Sequence, residues 1–268
     1  MSAVLALEGV GKRYWRGEHA HWLLRRATLR VAAGEVVSVV AMRSQGKTTL
    51  LRIAAGMTAP EEGRVLLADR ELRHLSDRAH ARLLREQIGM AGRQGPGIGV
   101  QMLDYVAMRL ALGGRRRRRE VRSEALRALE LVGAEQCAER HWEELSDWER
   151  ALVEIAQAIA GMPQLLLIDD VLDGLGMRET DALGQLVRAL AAERRLGVLM
   201  AVSDPEAALC SHRVLSLSDG RLAALSPLPP AESLAEVVPA PRGGVREPPE
   251  NVIEFPSRVS RPGLRDAR

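Results

Sequence analysis

Lysine is nearly absent from this chain: among 38 Lys and Arg residues, only Lys12 and Lys47 are lysine. Aromatic residues make up 3% of the 268 residues, with a single Phe, so Leu, Val, Ile and Ala must fill the core that a hydrophobic content of 46% provides. Two cysteines, Cys137 and Cys210, lie far apart without metal-ligand spacing. That excludes a zinc ribbon or a disulfide scaffold and leaves reduced thiols of a cytosolic chain as the expectation. A strong charge of one sign is missing too. The formal net charge is +3, and the pI near 9.3 reflects arginine chemistry, so no nucleic-acid partner is expected. No apolar run is long enough to cross a bilayer, because Ala151 to Ile168 is broken by Glu154, Gln157, Gly161 and Pro163. Met1 to Glu8 lacks the basic lead-in of a secretory signal. A soluble chain is expected, with any membrane role exercised through a partner.

What is present is alternation of strand and helix. Residues 3–7 and 23–31 have strand patterning, joined by a turn that carries Tyr14, Trp15 and Trp22. Val36–Val40 and Arg64–Leu67 follow as strands, then a charged helix over 76–87. The glycine-dense stretch from Gly89 to Gly99 is expected to be loop throughout. From Leu103 to about Ala160 the period is helical, with apolar faces over Arg122–Gly133 and over Ala151, Leu152, Ile155, Ala158 and Ile159. Strands return at Leu165–Ile168, Val198–Val202 and Arg213–Leu217, separated by helices. This order implies a parallel sheet with an inserted helical lobe at about 95–160, within a domain spanning 1–225. Residues 226–268 hold nine of the 13 prolines and no periodicity, and are expected to be a disordered tail. Its Asn251–Pro256 segment is either a docking peptide or a chance apolar cluster.

Lys47 sits in Ser44-Gln45-Gly46-Lys47-Thr48-Thr49, after the strand Val36–Val40 and before a helix beginning at Thr48. Strand, tight loop, Gly-Lys-Thr and helix form the phosphate-binding P-loop arrangement. A compact ammonium slides between phosphate oxygens, which a planar guanidinium does not do. A chain that prefers arginine everywhere else keeps lysine here. Ile168-Asp169-Asp170 follows an apolar strand. In P-loop NTPases such a carboxylate and the P-loop hydroxyl hold Mg²⁺, which assigns Asp169 and Thr48 as metal ligands.

From about residue 3 to residue 222 the chain resembles the nucleotide-binding subunit of ABC transporters. Leu145-Ser146-Asp147-Trp148-Glu149 stands where that family has LSGGQ, ahead of Leu165–Asp170. Val202-Ser203-Asp204 stands at the switch-histidine strand, and Asp219-Gly220-Arg221 resembles the turn closing the core domain. The resemblance implies an α/β P-loop NTPase fold of the ABC-ATPase type, with a parallel core sheet, a small antiparallel β subdomain and an inserted helical subdomain. It implies ATP and Mg²⁺ as cofactors, a transmembrane permease subunit, and a second ATP-binding subunit as homo- or heterodimer. The location it implies is cytoplasmic, peripheral to the inner face of the cell membrane. ATP contacts fall on Ala41, Met42, Arg43, Ser44, Gln45, Gly46, Lys47, Thr48 and Thr49. Asp170, in the position of the family's catalytic glutamate, and Lys47 are the catalytic residues. The Q-loop glutamine falls on Arg93 or Gln94. The switch histidine falls on Ser203, or on Asp204 if the register slips by one. Tyr14 is the candidate for stacking on adenine, ahead of Trp15 and Trp22, and its alternative is packing on the small sheet. The arginine run 115–119 is a solvated helix end or a contact for acidic partners.

Departures from the family pattern imply weakened turnover. Ala41 and Ser44 replace P-loop glycines, leaving only Gly46 free for positive φ. In the signature segment Ser146, Asp147, Trp148, Glu149, a carboxylate at Asp147 would face the terminal phosphate of the opposing site. At about 5 Å and effective dielectric of about 20 this repulsion is roughly 3 kcal/mol. Asp170 is one methylene shorter than the family's glutamate, and Ser203 offers no imidazole. An ATP-binding transporter subunit with slow hydrolysis is therefore the first expectation. A regulatory or scaffolding module that acts by docking is the second.

Overall fold

The computed structural model describes residues 3–16, 19–111 and 117–225. The tail reading for 226–268 and the first two arginines of the run lie outside the described residues. In chain order the strands are β1 (Ala3–Arg16), β2 (His19–Ala32), β3 (Val36–Val40), β4 (Glu62–Leu67), β5 (Arg70–Glu71), β6 (Ile88–Ala91), β7 (Leu165–Asp169), β8 (Gly197–Val202), β9 (Arg213–Ser218) and β10 (Arg221–Ala224). The helices are α1 (Lys47–Ala54), α2 (Asp77–Gln87), α3 (Met102–Ala111), α4 (Arg118–Val132), α5 (Asp147–Ile159) and α6 (Met177–Arg194).

Two sheets result. β2, β1, β4 and β5 make a small antiparallel sheet, and the larger sheet runs β10-β9-β3-β8-β7-β6, its four pairings from β9 to β6 parallel and the β10-β9 pairing antiparallel. The first hairpin is longer than its apolar pattern suggests. Tyr14 and Trp22 lie within its strands, Tyr14 opposite His21 and Arg13 opposite Trp22. The Arg13 guanidinium stacks 4.8 Å from the Trp22 ring and pairs with Glu61 at 2.7 Å, contacts that carry the extended backbone past the apolar segment.

The larger sheet separates two cores by strand alternation. Leu166, Ile168, Val198, Met200 and Val202 face the cluster that holds α3 to α6. Leu165, Leu167, Leu199, Ala201, Val37 and Val39 face the cluster that holds α1 and the small sheet. Helices α3, α4 and α5 pack on one another through Val106, Leu110, Ala125, Leu129, Leu152 and Ile155, all buried.

One expectation fails here. Residues 88–91 are a sheet strand, β6, paired in parallel with β7 from Ile88–Leu165 to Ala91–Ile168. Gly89 is not a loop glycine. A Cβ built on it would sit 2.3 Å from the Ala158 carbonyl oxygen, so the glycine lets the strand press against the end of α5. The loop begins only at Gly92.

Candidate functional site

In an open parallel sheet the loops at the carboxyl ends of neighbouring strands converge. Here β3, β8 and β7 are adjacent, and their continuations are residues 41–46, Ser203 and Asp170. Two backbone bonds extend the pairing past the strand ends: Ala41 donates to the Val202 carbonyl at 3.1 Å and Asp170 to the Ala201 carbonyl at 3.1 Å. The loop after β3 then turns tightly into α1. Gly46 adopts φ 100°, and a Cβ there would meet the Leu23 carbonyl oxygen at 3.1 Å. Ser44 adopts φ 64° without being glycine. Left-handed backbone costs an L-residue about 1–2 kcal/mol, so the loop reaches its shape under strain. Gln45 braces it, its side-chain oxygen accepting the Met42 N–H at 3.1 Å.

Lys47 is buried at the start of α1. Its ammonium donates to the Ala41 carbonyl at 2.9 Å and to Ser203 Oγ at 2.7 Å, and lies 3.4 Å from Asp170 Oδ1. Ser203 in turn donates to Asp170 Oδ1 at 3.3 Å. Three partners match the three donors of the ammonium. Of the two candidates for the switch position, Ser203 touches Lys47, whereas Asp204 is exposed and accepts the Glu206 N–H at 2.9 Å. Asp170 also holds a left-handed φ of 51°.

Asp169 fits a hard cation. Its Oδ1 is buried and accepts no hydrogen bond among the described residues, while the Thr48 hydroxyl lies close enough to favour the ionised carboxylate. Burial pushes the Asp169 carboxyl above its usual range. The Thr48 hydroxyl works against that shift, adjacent Asp170 adds to it, and Lys47 and Arg52 oppose it. A divalent cation bound to that oxygen would stabilise the ionised form. Among the described residues no cluster of three or more His, Cys, Asp or Glu could hold a metal. Mg²⁺ needs none, since it is held by one or two protein oxygens together with phosphates and waters.

A hollow of about 430 Å³ opens over this group, lined by Leu23, Arg43, Ser44, Gly46, Lys47, Thr48, Thr49, Arg93, Asp170 and Asp173. The sequence-derived contacts Arg43, Ser44, Gly46, Lys47, Thr48 and Thr49 are thus brought together. Ala41 serves through its carbonyl and Gln45 as a brace. Met42 is 75% exposed and does not line the hollow. At the Q-loop position the wall is Arg93, not Gln94, because the chain leaving β6 turns Arg93 toward Asp173. Tyr14 lies outside the lining. It is half-exposed beside Lys12, opposite His21 on β2.

The segment Ser146–Glu149 forms the start of α5 as a reciprocal cap. Glu149 N–H donates to Ser146 Oγ at 3.2 Å and Ser146 N–H donates to Glu149 at 2.9 Å. Glu149 also pairs with Arg140 at 2.5 Å, and its carboxyl is held below the usual range, first by the Ser146 N–H. Asp147 pairs with Arg150 at 3.2 Å. Trp148 packs partly buried against the helical core.

A family model described as "ABC transporter" matches residues 24–173, more than half of the chain. The chain belongs to the ABC transporter family. The lipoprotein-releasing system ATP-binding protein LolD of Cereibacter sphaeroides is 34% identical over 226 residues, 83% of this chain and 100% of LolD. Among solved structures, the dimeric post-hydrolysis state of the ATP-binding cassette MJ0796, bound to ADP and Pi, is 26% identical with a TM-score of 0.76, covering 84% of this chain and 99% of that one. The cassette cbiO1 from Clostridium perfringens, part of the ABC transporter complex cbiONQ, shares the fold at a TM-score of 0.74 and 22% identity, with 88% of this chain and 92% of that one covered. The chain is therefore an ABC-type ATP-binding domain with the P-loop ATPase fold.

Two features of this ABC domain escape motif reading. Asp173 carries ion pairs to Arg43 at 3.6 Å and Arg93 at 3.9 Å. Glu154, buried within the apolar face of α5, accepts the Gly92 N–H at 3.3 Å, the Gly95 N–H at 3.1 Å and the Tyr105 hydroxyl at 2.9 Å. Burial pushes the Glu154 carboxyl above its usual range, with these three donors opposing, and pushes the Tyr105 hydroxyl up. The sequence signal for Glu154 was a lone carboxylate among Ala151, Leu152, Ile155 and Ala158.

Proposed function

We propose that this ABC domain binds Mg-ATP and couples slow hydrolysis to transport through a separate membrane subunit, as one of a pair of ATP-binding subunits at the cytoplasmic face of the membrane. The observation that carries the proposal is the meeting of Lys47, Thr48 and Asp170 at one hollow beyond β3, β8 and β7, with the Asp169 carboxylate next to Thr48 at the end of β7. The N–H groups opening α1 and the Lys47 ammonium hold the phosphates. Thr48 and Asp169 hold Mg²⁺, which would supply charge neutralisation on the phosphate oxygens. Asp170 positions water. Its short side chain is already engaged by Lys47 and Ser203, and a misplacement on the order of 1 Å costs about a hundredfold in rate. A separate membrane subunit is part of the proposal because no described helix is long and apolar enough to cross a bilayer. LolD's name and the cbiONQ complex support that arrangement.

A docking module without turnover is the second reading, favoured by the carboxylate of Asp147 and the bulk of Trp148 at the start of α5. One titration separates the two. Mg-ATP is expected to raise the melting temperature of the wild-type chain, and Lys47→Ala to weaken binding by at least about a hundredfold. Absence of any nucleotide stabilisation in the wild type refutes ATP binding and leaves the docking module.

A further inference from the structure

Three separate loops place charge on the far wall of the hollow. Arg43 comes from the loop after β3, Arg93 from the segment after β6, and Asp173 from the turn after β7. Both guanidinium groups converge on one atom, Asp173 Oδ2, at 3.6 and 3.9 Å. These distances are too long for hydrogen bonds, and the arginine side chains are 83% and 51% exposed, so each pair is weak and easily exchanged. Lys47 lies 3.4 Å from Asp170, which fixes the lysine tip beside the end of β7, and Asp173 follows in the same turn through its N–H bond to the Asp170 carbonyl at 3.2 Å. The arginine pair and Asp173 thus line the same hollow as Lys47 and Asp170.

We propose that Arg43 and Arg93 form a clamp, supplied by this chain itself, for the terminal phosphate of the nucleotide, and that Asp173 holds the two guanidinium groups ready. The inference rests on the ATP-binding reading given above. A terminal phosphate presents more charge than the Asp173 carboxylate and accepts paired N–H donors from a guanidinium, so it exchanges readily for those loose contacts. The clamp gives the site a means of telling triphosphate from diphosphate without an opposing subunit. That matters in a chain whose own signature segment carries Asp147. Lysine could not replace these side chains equivalently, since its ammonium lacks the planar fork.

The test is calorimetric titration of the full chain with Mg²⁺ and the non-hydrolysable β,γ-imido analogue of ATP, and separately with Mg²⁺ and ADP. Wild type, the double variant Arg43→Gln/Arg93→Gln and Asp173→Asn are compared. The double variant is expected to bind the triphosphate about tenfold more weakly while ADP affinity changes less than about threefold. Asp173→Asn, which releases both arginines, is expected to bind the triphosphate about threefold more tightly, an effect that shrinks with added salt. An unchanged ratio of the two affinities in the double variant, or weaker triphosphate binding in Asp173→Asn, overturns the clamp alone. A wild-type chain that binds neither nucleotide overturns the ATP-binding reading and the clamp with it.

Discussion

Replacing Glu154 by alanine strips three donors of their acceptor at one stroke. The Gly92 and Gly95 N–H groups and the Tyr105 hydroxyl all point at this carboxylate from the segment after β6 and from α3. Each buried donor left unpaired costs about 1–3 kcal/mol, and removing a carboxylate from a buried site returns part of that sum. The net expectation is a loss of about 2–4 kcal/mol. For a domain of this size that corresponds to a fall in melting temperature of about 5–15 °C, read by differential scanning calorimetry. Glu154→Gln keeps one acceptor oxygen and turns an NH₂ group toward the other amide, so it should lose about 1–2 kcal/mol. The pH dependence has a definite sign. Burial raises the folded-state value of this carboxyl above 4.5, so its ionised form weighs against folding. Its contribution to stability is fullest below 4.5 and declines as pH rises through the elevated value. The gap between wild type and Glu154→Ala should therefore be wider in mild acid than at neutral pH. Equal melting temperatures for the two proteins, or a gap that widens toward neutral pH, refute this reasoning.

Asp169→Asn should abolish the Mg²⁺ dependence of ATP stabilisation in a melting assay while metal-free ATP still binds; undiminished Mg²⁺ dependence counts against Asp169 as a ligand. Ser146→Ala removes the acceptor for the Glu149 N–H and should lower stability by about 1 kcal/mol in urea unfolding. The Glu149 carboxyl is lowered mainly by the Ser146 N–H, so its support is present above 4.5 and lost as pH falls below its depressed value, and Glu149→Gln should flatten the acid limb of the stability curve. Ser44→Val places a β-branched side chain at a left-handed position and should cost about 1–2 kcal/mol with weakened ATP binding, whereas Ser44→Gly should lie within about 0.5 kcal/mol of wild type in the same unfolding assay.

The nearness of Lys47, Thr48 and Asp169 could be anticipated from the sequence because their placement depends on short strands whose apolar runs end just before them. The alternation of strand and helix likewise carried the sheet and the helical lobe. The strand Ile88–Ala91 was hidden because two of its residues are Gly89 and Met90, and what holds it is close backbone approach to α5 rather than side-chain pattern. Arg93 against Gln94, and Ser203 against Asp204, are one-residue choices that no periodicity decides. Packing brings Arg93 to Asp173 in one case and Ser203 to Lys47 in the other. Glu154 was visible only as an interruption of an apolar face, since its donors arrive from residues 49 to 62 positions away.

The left-handed turn at Asp170 has a consequence for how readily this domain could change speed. Asp is among the few residues with a side chain that settle there at modest cost, and the same turn orients Asp173 through its backbone. Lengthening the carboxylate at 170 by one methylene would disturb a conformation held by two other side chains, Lys47 and Ser203, and by the Asp173 N–H. A glutamate at 170 would therefore call for coordinated changes at its neighbours, and that substitution made alone should be poorly accommodated.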